Sequence, residues 1–296
     1  ICYIYGGNRY MKNVYKKLLG IAGNPVSHSL SPLFQNYMIE RLGLDYIYIP
    51  FQVELGHFKN FFKGIQSIEN FVGLNVTIPF KEEAYKCCDN LSEIAKEIGA
   101  VNTIHFKDKA SYGYNTDILG VVNVIKYVLN IETLEGKKIM ILGAGGGSRA
   151  AIYAVKRLAG KDIYIVCRDK KRRQNLNNWA NEKLKLGLNF IEWGDLNNIL
   201  KNEDISLIIN ATPLGLNGEK LPIDFRCIKE NCKVFDMVYS VNETPFVKEA
   251  KLNNISAVDG LYMLLYQGIE SFKFWTGLSF EIKELLDYIK GNLNVR

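Results

Sequence analysis

An apolar run, Lys138-Ile139-Met140-Ile141-Leu142, breaks into Gly143-Ala144-Gly145-Gly146-Gly147-Ser148-Arg149 and then enters an Ala-rich helical pattern from Ala150. A strand that turns through glycines into a helix start leaves few folds open, because it is the opening of a βαβ unit. The junction also gathers backbone N–H groups at the positive end of a helix, where phosphate charge is stabilised. Ser148 stands where the third glycine of a G-x-G-x-x-G pattern would be and keeps the residue small. Two readings fit these residues: Gly143, Ala144, Gly145, Gly146 and Gly147 form a pyrophosphate cradle, or the glycines are a packing device between strand and helix.

The next run, Asp162-Ile163-Tyr164-Ile165-Val166-Cys167, reads as the second strand of the unit and ends in Arg168, at the position where a dinucleotide's ribose is read. A carboxylate there would bond the 2′-hydroxyl of NAD, whereas Arg168 and Arg172, with Lys170, Lys171 and Arg173 nearby, suit a 2′-phosphate. A solvated basic helix start is the other reading of the same run. Asp169 is the counterweight, since its carboxylate could take the ribose hydroxyls and repel a phosphate.

The chain has 296 residues, enough for two ordinary domains with a core in each. No apolar stretch approaches the roughly 20 residues needed to cross a bilayer, so a soluble protein without membrane partners is expected. Lys12, Lys16 and Lys17 ahead of Leu18-Leu19-Gly20-Ile21-Ala22 mimic a leader, but the apolar part is short and Asn24-Pro25 cuts it off. It reads as the first buried strand, with residues 1–10 as a tail ahead of Met11. The six cysteines, Cys2, Cys87, Cys88, Cys167, Cys227 and Cys232, have no metal-ligand spacing and suit a reducing cytoplasm. A net charge of +6, spread out except around Arg168 to Arg173, argues against nucleic acid and for small anionic ligands.

Before the glycine loop, β-rich runs at 18–22, 46–51 and 72–76 alternate with amphipathic stretches starting near Ser31, Glu54 and Phe80. The rhythm returns after the loop, with strands expected at 163–167, 207–210, 234–237 and 257–258. Two α/β domains follow. The stretches 260–275 and 280–293 read as helices, a pattern in which the chain returns to pack on its first domain.

Gly23-Asn24-Pro25-Val26-Ser27-His28-Ser29-Leu30-Ser31-Pro32 gathers three serines and a histidine before a helix, with Ser31 placed as N-cap and Pro32 in the first turn. Such hydroxyls are either a carboxylate site or ordinary capping. The segment resembles the G-x-P-x-x-H-S-x-S-P signature of the shikimate dehydrogenase family. The likeness continues through Gly73-Leu74-Asn75-Val76-Thr77-Ile78-Pro79-Phe80-Lys81, Gly99-Ala100-Val101-Asn102-Thr103 and Asn115-Thr116-Asp117. It extends to Asn210-Ala211-Thr212-Pro213, Asp236-Met237-Val238-Tyr239 with Thr244-Pro245, and Asp259-Gly260-Leu261-Tyr262-Met263 with Gln267, covering about residues 17–290. Gln35, Tyr262, Pro213, Cys167 and Asp169 depart from the usual family residues.

The resemblance implies an N-terminal α/β substrate domain, residues 1–116 completed by C-terminal helices 260–296, and a Rossmann-like, doubly wound dinucleotide-binding domain over 117–259. It implies reduction of the ketone of 3-dehydroshikimate to shikimate with NADPH. Lys81 and Asp117 would be the acid–base pair on the oxygen being reduced, against the plainer readings of a surface helix lysine and a helix N-cap. Ser29 and Ser31 would bind the substrate carboxylate. Thr77, Asn102, Tyr239 and Gln267 would hold the carboxylate or ring hydroxyls. NADP would be held by Gly143, Ala144, Gly145, Gly146, Gly147, Arg168, Arg172, Thr212, Gly260 and Met263, and no metal is implied. His28 reads as a loop histidine fixing the turn. The alternatives are a quinate or dual quinate/shikimate dehydrogenase and a non-catalytic, cofactor-binding regulatory protein; a homodimer is left open.

Overall fold

The computed structural model describes residues 15–240 and 243–293; the expected tail at 1–10 and Cys2 lie outside them. Contacts divide the described chain into two compact units, one of residues 15–95, 100–114 and 274–277, the other of 96–99, 115–240, 243–273 and 278–293.

The first unit is built on a mixed six-stranded sheet of β1 (Lys17–Gly23), β2 (Tyr46–Gln52), β3 (Phe71–Val76), β4 (Asn90–Leu91), β5 (Thr103–Lys107) and β6 (Ala110–Tyr114), in the order β2-β1-β3-β5-β6-β4. Helices α1 (Ser31–Arg41) and α2 (Phe58–Gln66) connect β1, β2 and β3, α3 (Lys81–Cys87) follows β3, and α4 (Glu93–Ile98) precedes β5. Strands β1, β2 and β3 are parallel, as the alternation of runs predicts, whereas β3, β5 and β6 are antiparallel neighbours. The β5–β6 hairpin is not expected from the sequence. Its two turn residues, Asp108 and Lys109, have φ of 53° and 62°, the left-handed pair a tight hairpin needs, without a glycine to announce it. The core is rich in phenylalanine, with Phe58 stacked on Phe80 at 5.1 Å and Phe62 against Phe106 at 5.6 Å.

The second unit holds β7 (Lys138–Leu142), β8 (Asp162–Val166), β9 (Asn189–Ile191), β10 (Ile205–Asn210), β11 (Lys233–Asp236) and β12 (Ser256–Val258) in the order β12-β11-β10-β7-β8-β9, every pair parallel. In chain order this is 6-5-4-1-2-3, the doubly wound dinucleotide arrangement, with its reversal between β7 and β10. Apolar runs such as Ile205–Asn210 are buried on both faces, as helix-covered parallel strands must be. The helices are α5 (Asp117–Asn123), α6 (Gly146–Arg157), α7 (Lys170–Trp179), α8 (Leu196–Asn202), α9 (Pro245–Leu252), α10 (Leu261–Thr276) and α11 (Ile282–Leu293).

Within the first unit, the last turn of α10 is keyed into the sheet. Trp275 donates its indole N–H to the Ile104 carbonyl at 2.9 Å. A Cβ at Gly73 would lie 2.2 Å from that indole nitrogen, so glycine is what lets β3 and the tryptophan meet. Among the described residues, no helix is long and apolar enough to cross a membrane.

Candidate active site

In the first unit the expected substrate residues gather at one edge of the sheet. Ser29 and Ser31 follow the end of β1, Thr77 and Lys81 follow the end of β3, and Asn102 precedes β5, whose antiparallel course brings its start to the same edge. The backbone sets this up. Thr77 N–H donates to the Ala22 carbonyl at 2.9 Å and Asn24 N–H to the Ile78 carbonyl at 3.0 Å, lacing the two loops together. A side chain at Gly23 would sit 2.4 Å from Thr77 Cγ2. Lys81 opens α3 half-buried, and its carbonyl accepts from Val101 N–H at 2.9 Å, which ties it to the Asn102 segment.

Ser31 is not the N-cap the sequence suggests. It is the first residue of α1, and Leu30 occupies the cap position without a side-chain bond. Ser29 does the local work: its Oγ accepts from Ser31 N–H at 3.2 Å, while its own N–H donates to the Val26 carbonyl at 3.1 Å. These bonds fix the turn, and His28 is exposed.

A buried hydrogen-bond chain runs behind this edge. Ser31 approaches the Tyr48 phenol as a donor, and Tyr48 Oη donates to Asn75 Oδ1 at 2.7 Å. Asn75 Nδ2 then reaches the Asn102 carbonyl and Thr103 Oγ1, each at 3.1 Å, and Thr103 Oγ1 donates to Asn102 Oδ1 at 3.0 Å. Because Thr103 holds the oxygen end of the Asn102 amide, the donor end faces away from it. Burial pushes the Tyr48 phenol well above its ordinary pKa, so it remains a neutral donor. Tyr48 and Thr103 have no role in the sequence reading; a polar residue such as Asn75 inside an apolar strand is the signal that points to such a chain.

In the second unit Asp117 opens α5, with Thr116 rather than Asp117 at the cap position. A Cβ on Gly120 would be 2.8 Å from the Met263 carbonyl and 3.3 Å from Gln267 Cβ, so this glycine lets α5 lie directly on the part of α10 that carries both residues. Thr116 Oγ1 and Ser271 Oγ are 3.2 Å apart, and Ser271 also donates to the Gln267 carbonyl at 2.9 Å. Asp117, Met263 and Gln267 therefore belong to one helix pair. Burial raises the pKa of the half-buried Tyr239 phenol.

The glycine loop sits at the end of β7, beside β10, where the strand order reverses. Gly143 has φ of +106° and lies against Thr212, and Gly147 rests on Ala211 and Met237, so these two do pack. Gly145 and Gly146 do not: a Cβ on either meets nothing within 4 Å. Packing thus leaves the middle glycines unexplained, whereas a group seated over the start of α6 needs that space. Ser148 is buried and its Oγ accepts from Gly145 N–H at 3.3 Å, which accounts for serine in place of the third glycine.

Beyond β8, Arg168 is exposed, and Asp169 caps α7 by accepting from Arg172 N–H at 3.0 Å. Those bonds, with the Arg172 guanidinium 3.6 Å away, hold its pKa below the usual carboxylate range and commit the carboxylate to the helix. Arg173 is structural: it donates to the Cys167 carbonyl and pairs with Glu192 at 2.7 Å.

Residues 21–104 match the model of the shikimate dehydrogenase substrate binding domain, and residues 260–284 match that of the shikimate 5′-dehydrogenase C-terminal domain. The NADP(+) shikimate dehydrogenase of Aquifex aeolicus is 38% identical over 272 residues, covering 90% of this chain and 94% of that one. The chain belongs to the shikimate dehydrogenase family. A shikimate dehydrogenase solved in complex with NADP+ superposes with a TM-score of 0.85 at 33% identity, covering 97% of this chain and 99% of that one. The Listeria monocytogenes family member, solved with shikimate and NAD, has a TM-score of 0.84 at 29% identity, covering 93% and 96%.

Proposed function

We propose that this chain is an NADP-dependent shikimate dehydrogenase that reversibly reduces 3-dehydroshikimate to shikimate, a step in the biosynthesis of chorismate and the aromatic amino acids. The observation that carries the reading is family identity over nine-tenths of the chain, with Lys81 and Asp117 both present in their motifs. The functional division follows the motifs, with 1–116 and 260–296 serving the substrate and 117–259 the cofactor.

The second unit fits the cofactor. Gly143, Ala144, Gly145, Gly146 and Gly147 would carry the pyrophosphate on the open start of α6, with Thr212 alongside Gly143. Arg168 and Arg172 would take the 2′-phosphate, while Gly260 and Met263 would border the nicotinamide. When bound, NADPH supplies the hydride.

The chain's own residues supply the rest. Lys81 carries a positive charge that stabilises an oxygen becoming an alkoxide, and its ammonium holds a proton to deliver there. Asp117 is the second member of the acid–base pair that the family motif implies. Ser29 and Ser31 hold the substrate carboxylate, and Thr77, Asn102, Tyr239 and Gln267 orient the ring.

The test is the absorbance of reduced nicotinamide on mixing the protein with shikimate and NADP+, run beside quinate and NAD+. Shikimate with NADP+ should be fastest; quinate oxidation at a comparable rate would make it a dual enzyme, and no rate with any pair would leave a binding protein. The five described cysteines are free thiols, which supports a reducing, cytoplasmic setting. Light scattering separates a monomer of 33.7 kDa from a homodimer of about twice that mass.

A further inference from the structure

The loops that carry Thr212 and Tyr239 follow β10 and β11, and a single buried carboxylate holds both. Asp236, the last residue of β11, is fully buried. Its Oδ1 accepts from Asn210 Nδ2 at 2.8 Å and from Val238 N–H at 3.0 Å, and its Oδ2 accepts from Thr244 Oγ1 at 2.6 Å. Each contact leads into a loop. Asn210, also fully buried, uses its own Oδ1 to receive Thr212 N–H at 3.0 Å and Thr212 Oγ1 at 2.6 Å, and its Nδ2 reaches the Leu214 carbonyl at 3.0 Å. Val238 in turn accepts from Gly260 N–H at 2.9 Å, and Thr244 caps α9 by accepting from Val247 N–H at 3.3 Å.

We propose that Asp236 is a positioning residue of the cofactor site, whose hydrogen bonds to Asn210, Val238 and Thr244 hold the Thr212 loop, the Tyr239 segment and the Gly260 turn in one arrangement at the ends of β10, β11 and β12. A carboxylate suits the task because it offers acceptors in two directions, and at this point three donors converge from three different segments. Burying a charged group is costly, and an apolar residue would fill the space equally well if only packing were needed. The inference rests on the assignment of Thr212 and Gly260 to NADP.

The test compares Asp236→Ala and Asp236→Asn with the parent chain, titrating NADP+ by calorimetry and following amide hydrogen exchange. Asparagine retains an acceptor for Asn210 and Val238 and can turn its amide nitrogen to Thr244 Oγ1, so it should bind NADP+ within about threefold of the parent. Alanine should weaken binding about tenfold or more, and should speed exchange over residues 211–216 and 237–240 while leaving β7 unchanged. A folded Asp236→Ala protein with parental affinity and exchange would overturn the proposal, and so would an asparagine variant as impaired as alanine. If alanine does not fold, Thr244→Val removes the Oδ2 contact together with the α9 cap and should weaken binding about threefold or more; parental binding there would also overturn it. A parent chain that binds no NADP+ would overturn the cofactor assignment instead, while the exchange comparison would still test whether Asp236 holds the loops.

Discussion

Lys81 and Arg168 show how much a residue's meaning depends on where the backbone puts it. Lys81 opens a helix, half-buried and tied by its carbonyl to the Asn102 segment. Lys81→Ala should therefore keep NADP+ affinity but lower turnover by about 10² to 10⁴, the usual contribution of a positioned proton donor, as measured by steady-state rates beside a cofactor titration. A loss confined to the Michaelis constant would make it a binding residue. At Arg168 the competing Asp169 carboxylate is committed to capping α7. Arg168→Ala should weaken NADP+ about tenfold to a hundredfold, with NAD+ binding held within about twofold. Thr103→Val frees the oxygen end of the Asn102 amide, which Thr103 otherwise holds at 3.0 Å. On the proposed role of Asn102 in holding the ring, it should raise the Michaelis constant for shikimate about threefold to tenfold with little change in turnover, because a contact made equally in ground state and transition state affects binding more than chemistry.

At the scale of elements, small residues decide which pieces can touch. Gly73→Ala sets a methyl against the Trp275 indole, where a Cβ comes within 2.2 Å of Nε1. It should destabilise the protein by about 1–3 kcal/mol or more and shift the tryptophan emission, both read from thermal and fluorescence unfolding curves. Strand and helix content was legible because apolar runs and glycine punctuation mark parallel units well. The β5–β6 hairpin was hidden, since Asp108 and Lys109 take left-handed conformations without the usual glycine. The motifs name the candidate site residues, but not the residues packed and hydrogen-bonded behind them: Tyr48, Gly120 and Thr103 acquire their contacts only when distant segments meet. Asp236 lies between these cases, a carboxylate ending an apolar strand. Its burial raises the pKa to about 6 from the ordinary 3.8. Between those values the folded chain binds a proton that the unfolded chain lacks, so this group adds stability as pH falls through 6 and costs stability above it. Denaturant unfolding of Asp236→Asn and parent should differ with pH in that window, the parent gaining up to about 3 kcal/mol on acidification relative to the variant.

For the whole molecule, the two units are built on two different kinds of sheet. The all-parallel, doubly wound sheet places its glycine loop where the strand order reverses, while the mixed sheet gathers hydroxyls, amides and a lysine at one end of its strands. Neither feature alone specifies a dehydrogenase, since the fold serves many reactions. Their combination in one chain, with family identity across nine-tenths of its length, makes the reading specific. The most direct measurement is the initial rate of NADP+ reduction by the purified chain with shikimate, followed at the nicotinamide band. Rapid, saturable reduction with shikimate, lost in Lys81→Ala, is the result expected. No reduction of NADP+ or NAD+ by shikimate, from a folded protein at any substrate concentration, would contradict the account.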